Sequence, residues 1–284
     1  MQPLVSVIIT SYNREQYLAE AIDSVINSSY KNLEIIIGDD ASEDNTVAIA
    51  KSYADKDARV NLYFNNKNIG DYPNRNKAVS YATGDYLMFV DSDDVIYAKS
   101  IEICVGLMLQ YSEVSFGTYY REPAPTAFVL DSKTALHRHF FEVPYLMIGP
   151  GGTIIKRSFF NTIGGYPEKY GPANDMYFNI KASSATPVLM IPTEIYFLRK
   201  HAGQEINNSY SYLFNNYRYN RDVFDELPLP FDHKAIQWLQ KKNKRRFLVN
   251  ICKHFFKTKN LASTKYAIKQ AEYSFRDALQ AIFH

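Results

Sequence analysis

An α/β fold, with a mainly parallel sheet flanked by helices, is what the first ninety residues predict. Three observations carry that expectation: short apolar runs of strand length, helix-period stripes between them, and polar clusters where the runs end. Residues 4–10 read as a buried strand. Asn13 can cap the following helix, with Gln16 in capping-box position, and Leu18, Ala21, Ile22, Val25 and Ile26 supply its apolar stripe. Residues 33–37 form a second strand, which ends at Gly38-Asp39-Asp40-Ala41-Ser42. Ser42 can cap a helix that turns Val47, Ala50 and Ala54 inward. Val60, Leu62 and Phe64 alternate as a third strand. Pro73 and Gly84 bracket a short third helix, and residues 86–90 complete the set. Strands joined by helices at such short intervals imply right-handed crossovers. Ligands of open sheets sit beyond the carboxyl ends of the strands. The clusters Thr10-Tyr12-Asn13, Asp39-Asp40 and Asp91-Asp93-Asp94 all fall there.

Residues 95–206 read as a mixed region. It has strand-like runs at 114–120, 127–130 and 188–191, and glycine turns at 149–152 and 164–165. From about residue 207 glycine disappears and helix formers dominate, so residues 207–284 are expected to form a helical C-terminal appendage. The expected division is therefore 1–94, 95–206 and 207–284.

The 284 residues suit one large domain or a main domain with an appendage. Apolar residues make up 46% and charged residues 22%, as in ordinary folded proteins. The 23 tyrosines and 18 phenylalanines suit sites that stack rings, but they also suit plain cores. Cys104 and Cys252 have neither metal-type nor redox-type spacing and read as free thiols in a reducing compartment. The N-terminus shows no secretory pattern, and no apolar run approaches the ~20 residues that span a bilayer. A cytoplasmic protein, at most touching the inner face of a membrane, is expected.

The net charge of +2 conceals an asymmetry. Residues 234–259 hold nine Lys/Arg and no acid, leaving 23 basic against 30 acidic residues elsewhere. Phe247, Leu248, Ile251, Phe255 and Phe256 follow the basic cluster at helical spacing. Such a helix either lies on an anionic membrane or packs on the main domain with its lysines solvated. No nucleic-acid module accompanies the charge, so nucleic acid is not an expected partner.

The acidic run Asp91-Ser92-Asp93-Asp94, directly after the apolar residues 86–90, is the most specific chemical signal. Carboxylates crowded at a strand end repel one another unless a cation lies between them. Hard oxygen ligands favour Mg²⁺ or Mn²⁺, ions that commonly bridge carboxylates to substrate phosphates. A solvated acidic turn is the alternative.

Several segments together resemble the family-2 glycosyltransferases. Val5-Ser6-Val7-Ile8-Ile9-Thr10-Ser11-Tyr12-Asn13-Arg14 is similar to their opening and residues 38–46 to their second motif. Asn68-Ile69-Gly70 and Arg75-Asn76 are similar to the linking segment, and residues 84–94 to the metal motif. The resemblance implies a GT-A fold, Rossmann-like and nucleotide-binding, and a nucleotide-diphosphate-sugar donor, most often a UDP-sugar. It implies that Thr10, Tyr12 and Asp40 surround the base, with Asp39 and Arg75 as further neighbours. Asp91 would lie near the ribose or metal, and Asp93 would hold the ion. Residues 151–155 and 164–167 resemble acceptor-side segments, and Asn174-Asp175 stands where the family usually has Glu-Asp. Asp175 is then the candidate catalytic base. Arg199-Lys200-His201 resembles a late Arg-x-His element, which makes His201 a candidate metal ligand.

Each assignment has a plainer counterpart. Asn13 can be only a helix cap. Arg75 can be a surface ion pair, Asp175 a residue favoured by a helix dipole, and His201 a structural histidine. The implied reaction is inverting transfer of a sugar to a hydroxyl of a glycan or lipid-linked glycan. A non-catalytic binding or assembly subunit of the same fold is the alternative. A sugar-phosphate nucleotidyltransferase is disfavoured, because residues 11–15 lack the glycine-rich loop such enzymes show after the first strand.

Overall fold

The structure, a computed structural model, describes residues 2–201, 204 and 207–283. The expected segment limits at residues 1, 206 and 284 lie outside them. Four parallel strands form one half of the sheet: β1 (Val5–Ser11), β2 (Leu33–Asp39), β3 (Val60–Phe64) and β4 (Tyr86–Asp91). Their connections are the helices α1 (Leu18–Ile26), α2 (Thr46–Ala54) and α3 (Asp71–Val79). After β4 come the short β5 (Val95–Ile96), α4 (Ser100–Gln110), β6 (Phe116–Tyr119), β7 (Phe128–Leu130) and α5 (Ser132–His137). Next are β8 (Thr153–Lys156), α6 (Arg157–Thr162), α7 (Asn174–Ala185), β9 (Val188–Ile191) and β10 (Tyr196–Phe197).

Among the described residues the main sheet has eight strands in the order β3-β2-β1-β4-β8-β6-β9-β7, and β5 pairs with β10 in a small second sheet. β8 runs antiparallel to both β4 and β6, so β6 again points the same way as β4. The parallel set read from the sequence is therefore extended by a mixed half.

Period-two alternation divides the core between the two faces of the sheet. Val7, Ile9, Ile35, Ile37, Met88 and Val90 pack under the inward stripes of α1 and α4. Ile8, Ile36, Leu87 and Phe89 face the opposite way, against α3, α7 and the aromatics Tyr166, Tyr170 and Phe178. Gly84, ahead of β4, sits where the chain crosses the start of β1. A Cβ there would stand 2.7 Å from Ser6 Oγ and 2.8 Å from the Leu4 carbonyl, so only glycine fits.

The C-terminal helices are α8 (Ser209–Glu226), α9 (His233–Thr258), α10 (Leu261–Ala271) and α11 (Phe275–Phe283). Tyr219, Val223 and Phe224 of α8 and Leu239 of α9 join the core of the main domain. Farther out, Phe214, Tyr217, Phe247, Ile251, Ala267 and Tyr273 close a smaller core among the four helices. Of the two placements left open for the Phe247 and Ile251 stripe, the packed one is therefore found, with the neighbouring C-terminal helices as its partners. No helix of the described residues is long and apolar enough to cross a membrane.

Two expected caps are absent. Neither α1 nor α2 has a side-chain cap, and their N-cap positions are Tyr17 and Asn45. Asn13 instead adopts a left-handed backbone (φ 51°), and its side chain accepts from the Glu43 N–H at 2.9 Å. Ser42 Oγ accepts from the Asn13 N–H and donates to Asp39. Both residues brace two neighbouring loops against each other, a tertiary bond that a capping pattern does not reveal.

Candidate active site

Strand register alone assembles one edge of the site. Thr10 lies opposite Gly38 on β2 and opposite Asp91 on β4, and Ser11 lies opposite Asp39. All these residues stand at carboxyl ends of parallel strands, the edge at which such sheets bind ligands.

Asp39 and Asp40 are both buried and are largely engaged in shaping loops. Asp39 accepts from Ser42 N at 3.0 Å and Ser42 Oγ at 2.6 Å. Asp40 accepts from Asn65 Nδ2 at 2.8 Å and from the backbone N–H groups of Ile69 and Gly70 at 2.9 Å each. A carboxylate offers about four acceptor positions, and three of those of Asp40 are taken in this way. Gly70 has φ 96°, a backbone state that glycine adopts without strain, and it leads the chain into α3. Tyr12, 42% exposed, leaves its ring open to stacking at the rim, while Thr10 is buried with Oγ1 3.4 Å from Asp71 Oδ1.

Arg75 is buried on α3 between two carboxylates. Its Nη2 donates to Asp91 Oδ1 at 2.6 Å, and its Nε lies 2.9 Å from Asp71 Oδ1, off the line a hydrogen bond requires. Burial opposes the guanidinium charge, but Asp71 and Asp91 outweigh it and hold the pKa well above its usual value. The surface ion pair that sequence allowed is thus replaced by a buried one. Nη1 has no hydrogen-bond partner among the described residues, so a donor is left for an anionic or carbonyl oxygen. Asp91 itself is raised by burial, with Arg75 pulling the other way.

Asp93 and His201 are brought together, Nε2 to Oδ2 at 2.9 Å, across 108 residues of chain. The His201 ring stacks on Tyr17 at 4.7 Å, and Arg14 Nε lies 3.4 Å from the same Asp93 oxygen. Arg199 fastens this corner: its backbone N–H donates to Asp94 Oδ1 at 3.0 Å, its Nε donates to the Asp93 carbonyl at 2.9 Å, and its guanidinium pairs with Glu20. Burial lifts the Asp94 carboxyl to about 7, with Asp91 adding to the rise. Among the described residues no group of three His, Cys, Asp or Glu side chains could hold a metal ion. The donor set the structure does bring together is the Asp93 oxygen with the His201 nitrogen, while the Asp91 carboxylate is engaged by Arg75. An aspartate oxygen and an imidazole nitrogen are donors that a divalent ion such as Mn²⁺ could take.

Asp175 opens α7 and is only 8% exposed. Its Oδ1 accepts from Met176 N at 2.7 Å. A helix N-terminus should lower a carboxyl pKa, yet burial dominates here and pushes Asp175 up to about 7. Arg75, Asp71 and Asp91 all act electrostatically on it, so it shares the electrostatic field of the donor-side acids. Asp175 does stand in the first turn of α7, as the dipole reading has it, but it is buried there and not solvated. Asn174, where the resemblance leads one to expect Glu, closes the preceding turn: its Oδ1 accepts from Tyr170 N at 2.9 Å and its Nδ2 donates to the Gly171 carbonyl at 2.7 Å.

The segment that carries Asp175 is also held from the C-terminal side. Tyr170 Oη donates to Asp222 of α8 at 2.7 Å, Tyr177 Oη donates to Glu226 at 3.0 Å, and Lys169 pairs with both acids. Hydrogen bonds from Tyr170, Lys169 and Arg221 overcome burial and lower the Asp222 pKa.

Sequence reasoning missed Asp71, Arg14 and Arg199 as members of the site. Asp71 directly follows the quoted Gly70 and precedes Arg75 by one helical turn, which was the available signal. Arg14 and Arg199 lie inside quoted motifs but were given no role.

The model of the family described as "Glycosyl transferase family 2" matches residues 6–164, more than half of the chain. The chain belongs to this family. An uncharacterized glycosyltransferase of Haemophilus influenzae is 44% identical over 108 residues, 38% of this chain and 43% of the relative. The Escherichia coli protein UDP-Glc:alpha-D-GlcNAc-diphosphoundecaprenol beta-1,3-glucosyltransferase WfgD is 37% identical over 113 residues, 40% of this chain and 44% of the relative. In both, the match spans less than half of the relative's length. Among solved structures, S. aureus TarS residues 1–349 in complex with UDP-GlcNAc superposes with a TM-score of 0.68 at 21% identity, covering 98% of this chain and 78% of that one. This likeness establishes the GT-A fold of the chain, with its helical C-terminal part.

Proposed function

We propose that this chain transfers a sugar from a nucleotide-diphosphate donor, a UDP-sugar first among them, to a hydroxyl of a glycan or lipid-linked glycan, inverting the anomeric centre. One observation carries the reading: Asp175 is a buried carboxylate lifted to about 7, within the electrostatic reach of Asp91 and Arg75. A general base works best with a pKa near the operating pH. The E. coli relative is named for a UDP-glucose donor and a diphosphoundecaprenol-linked acceptor, and the S. aureus structure holds UDP-GlcNAc. Both favour this donor class, and the first favours acceptors presented at a membrane. We place the reaction on the cytoplasmic side, in keeping with the two free cysteines.

In this reading the segments 1–94 and 95–206 are the donor and acceptor halves of one catalytic domain. Tyr12 stacks on the base, and the Asp40 carboxylate accepts from a ring N–H. Thr10 and Asp39 shape the pocket wall, and Arg75 keeps Asp91 oriented beside the ribose. Asp93 and His201 are the residues that would hold a divalent ion, which neutralises charge on the departing diphosphate. Asp175 accepts the proton of the acceptor hydroxyl as that oxygen attacks the anomeric carbon from the face opposite the diphosphate. The bond to the diphosphate breaks as the new glycosidic bond forms, so an α-linked donor gives a β-linked product. No covalent enzyme intermediate is needed.

The test is a transfer assay on Asp175→Asn with donor affinity measured in parallel by calorimetry. Transfer should fall at least ~100-fold, the usual scale of a lost general base, with donor affinity kept. Near-normal turnover would remove the assignment.

A further inference from the structure

The long helix α9 carries two apolar faces, and only one is buried inside the chain. Leu239, Phe247 and Ile251 are buried, against the main domain or the neighbouring helices. Positions 238, 242, 245, 249, 253 and 256 recur at steps of three and four, so they share one opposite face. That face presents Trp238, Val249 and Phe256, which are 49%, 44% and 66% exposed, interleaved with exposed Lys242, Arg245 and Lys253. Trp238 is held in place by stacking on Phe141 at 5.4 Å, and Lys242 Nζ lies 4.6 Å above its ring.

Among the described residues no ion pair compensates Lys242, Arg245 or Lys253. Residues 234–259 contain nine Lys/Arg and no acid. Among the described residues Lys244 alone of them forms an ion pair, with Asp277 at 2.9 Å. A helix face that merely meets water usually mixes signs and carries few large apolar side chains. Here cations and aromatic rings alternate along a helix about 39 Å long at 1.5 Å per residue.

We propose that the outer face of α9 is a docking surface for an anionic lipid bilayer. It lies flat on headgroups, with Trp238 and Phe256 entering the interface and the interleaved cations on the phosphates. Aromatic rings of this kind favour the headgroup level, and each basic residue near an anionic surface contributes about 1 kcal/mol. A second copy of the chain is disfavoured as the occupant, because two such faces would bring like charges together. The proposal sharpens the membrane-facing part of the function given above, with the contact on the face opposite to the Phe247 stripe.

Vesicles without any sugar keep its failure separate from failure of the transferase reading. The full chain is floated with phosphatidylcholine vesicles and with vesicles containing about 30 mol% phosphatidylglycerol, an anionic surface of the kind that attracts basic segments. Cofloating with the anionic vesicles alone is expected. Lys242→Glu with Arg245→Glu should weaken binding at least ~10-fold, consistent with about 1 kcal/mol per cation. Trp238→Ala with Phe256→Ala should also lower it, while Lys133→Glu on α5 should not. Thermal melts check that each variant remains folded. Equal flotation of the charge-reversed protein, or no flotation with anionic vesicles, overturns the proposal. Binding to an RNA or DNA duplex that these variants abolish, without vesicle binding, would reassign the face to nucleic acid.

Discussion

Two regions of the chain supply the carboxylates of the proposed site by different means. Asp39 and Asp91 stand at the ends of β2 and β4, the two parallel strands that flank β1, aligned by register through Ser11 and Thr10. Asp175 opens a helix, and its turn is fixed by Asn174 and, from α8, by Asp222 and Glu226. The sheet therefore sets Asp39 and Asp91 through backbone pairing. Asp175, the proposed base, depends on side-chain contacts that reach into the C-terminal helices, so damage far along the chain should reach the transfer chemistry and spare donor binding.

The largest expected effects separate the two regions by readout. Asp175→Asn should cost at least ~100-fold in transfer with donor affinity unchanged, and Asp93→Ala a similar ~100-fold with metal-assisted donor binding weakened as well. If calorimetry shows Asp93→Ala binding nucleotide and Mn²⁺ like the parent, the pairing of Asp93 with His201 is only structural.

Removing the support from α8 comes next. Asp222→Ala strips partners from Tyr170, Lys169 and Arg221 together. Truncating a buried, ion-paired group costs about 3 kcal/mol, which a denaturant melt should register. Transfer should fall more than donor affinity does. Equal losses in both would mean that α8 supports the fold as a whole and not the Asp175 turn in particular.

The smallest effect is expected at a loop. Asp40→Ala leaves the Ile69 and Gly70 N–H groups without their acceptor, at about 1–3 kcal/mol for a lost buried partner. It should raise the KM for donor more than it lowers kcat. An unchanged KM would show that the Asp40 carboxylate serves only the loop.

Much of the donor half was legible in the sequence, because strands buried on both faces declare themselves as short apolar runs and the acids follow them directly. The caps at Asn13 and Ser42 were misread, since each side chain bonds to a loop 29 or more residues away in place of its own helix. Arg75 illustrates the same limit: its motif was visible, but that two carboxylates would bury it depended on Asp71 and Asp91 meeting in space. The stripe Phe247–Ile251 was a correct apolar periodicity whose partner stayed open between a membrane and the protein itself, because periodicity identifies a face and not what covers it. Nothing local could have shown that α8 holds the Asp175 turn, which rests on contacts across roughly fifty residues.

The most direct test of Asp175 as the base is the pH dependence of kcat/KM, which reports ionisations of the free enzyme. A base must be deprotonated to act, and the folded protein holds Asp175 up at about 7. Activity should therefore rise with pH through that value, and Asp175→Asn should leave a residual rate without this limb. A limb near 7 that survives in Asp175→Asn would contradict the assignment and point to another carboxyl of the same cleft.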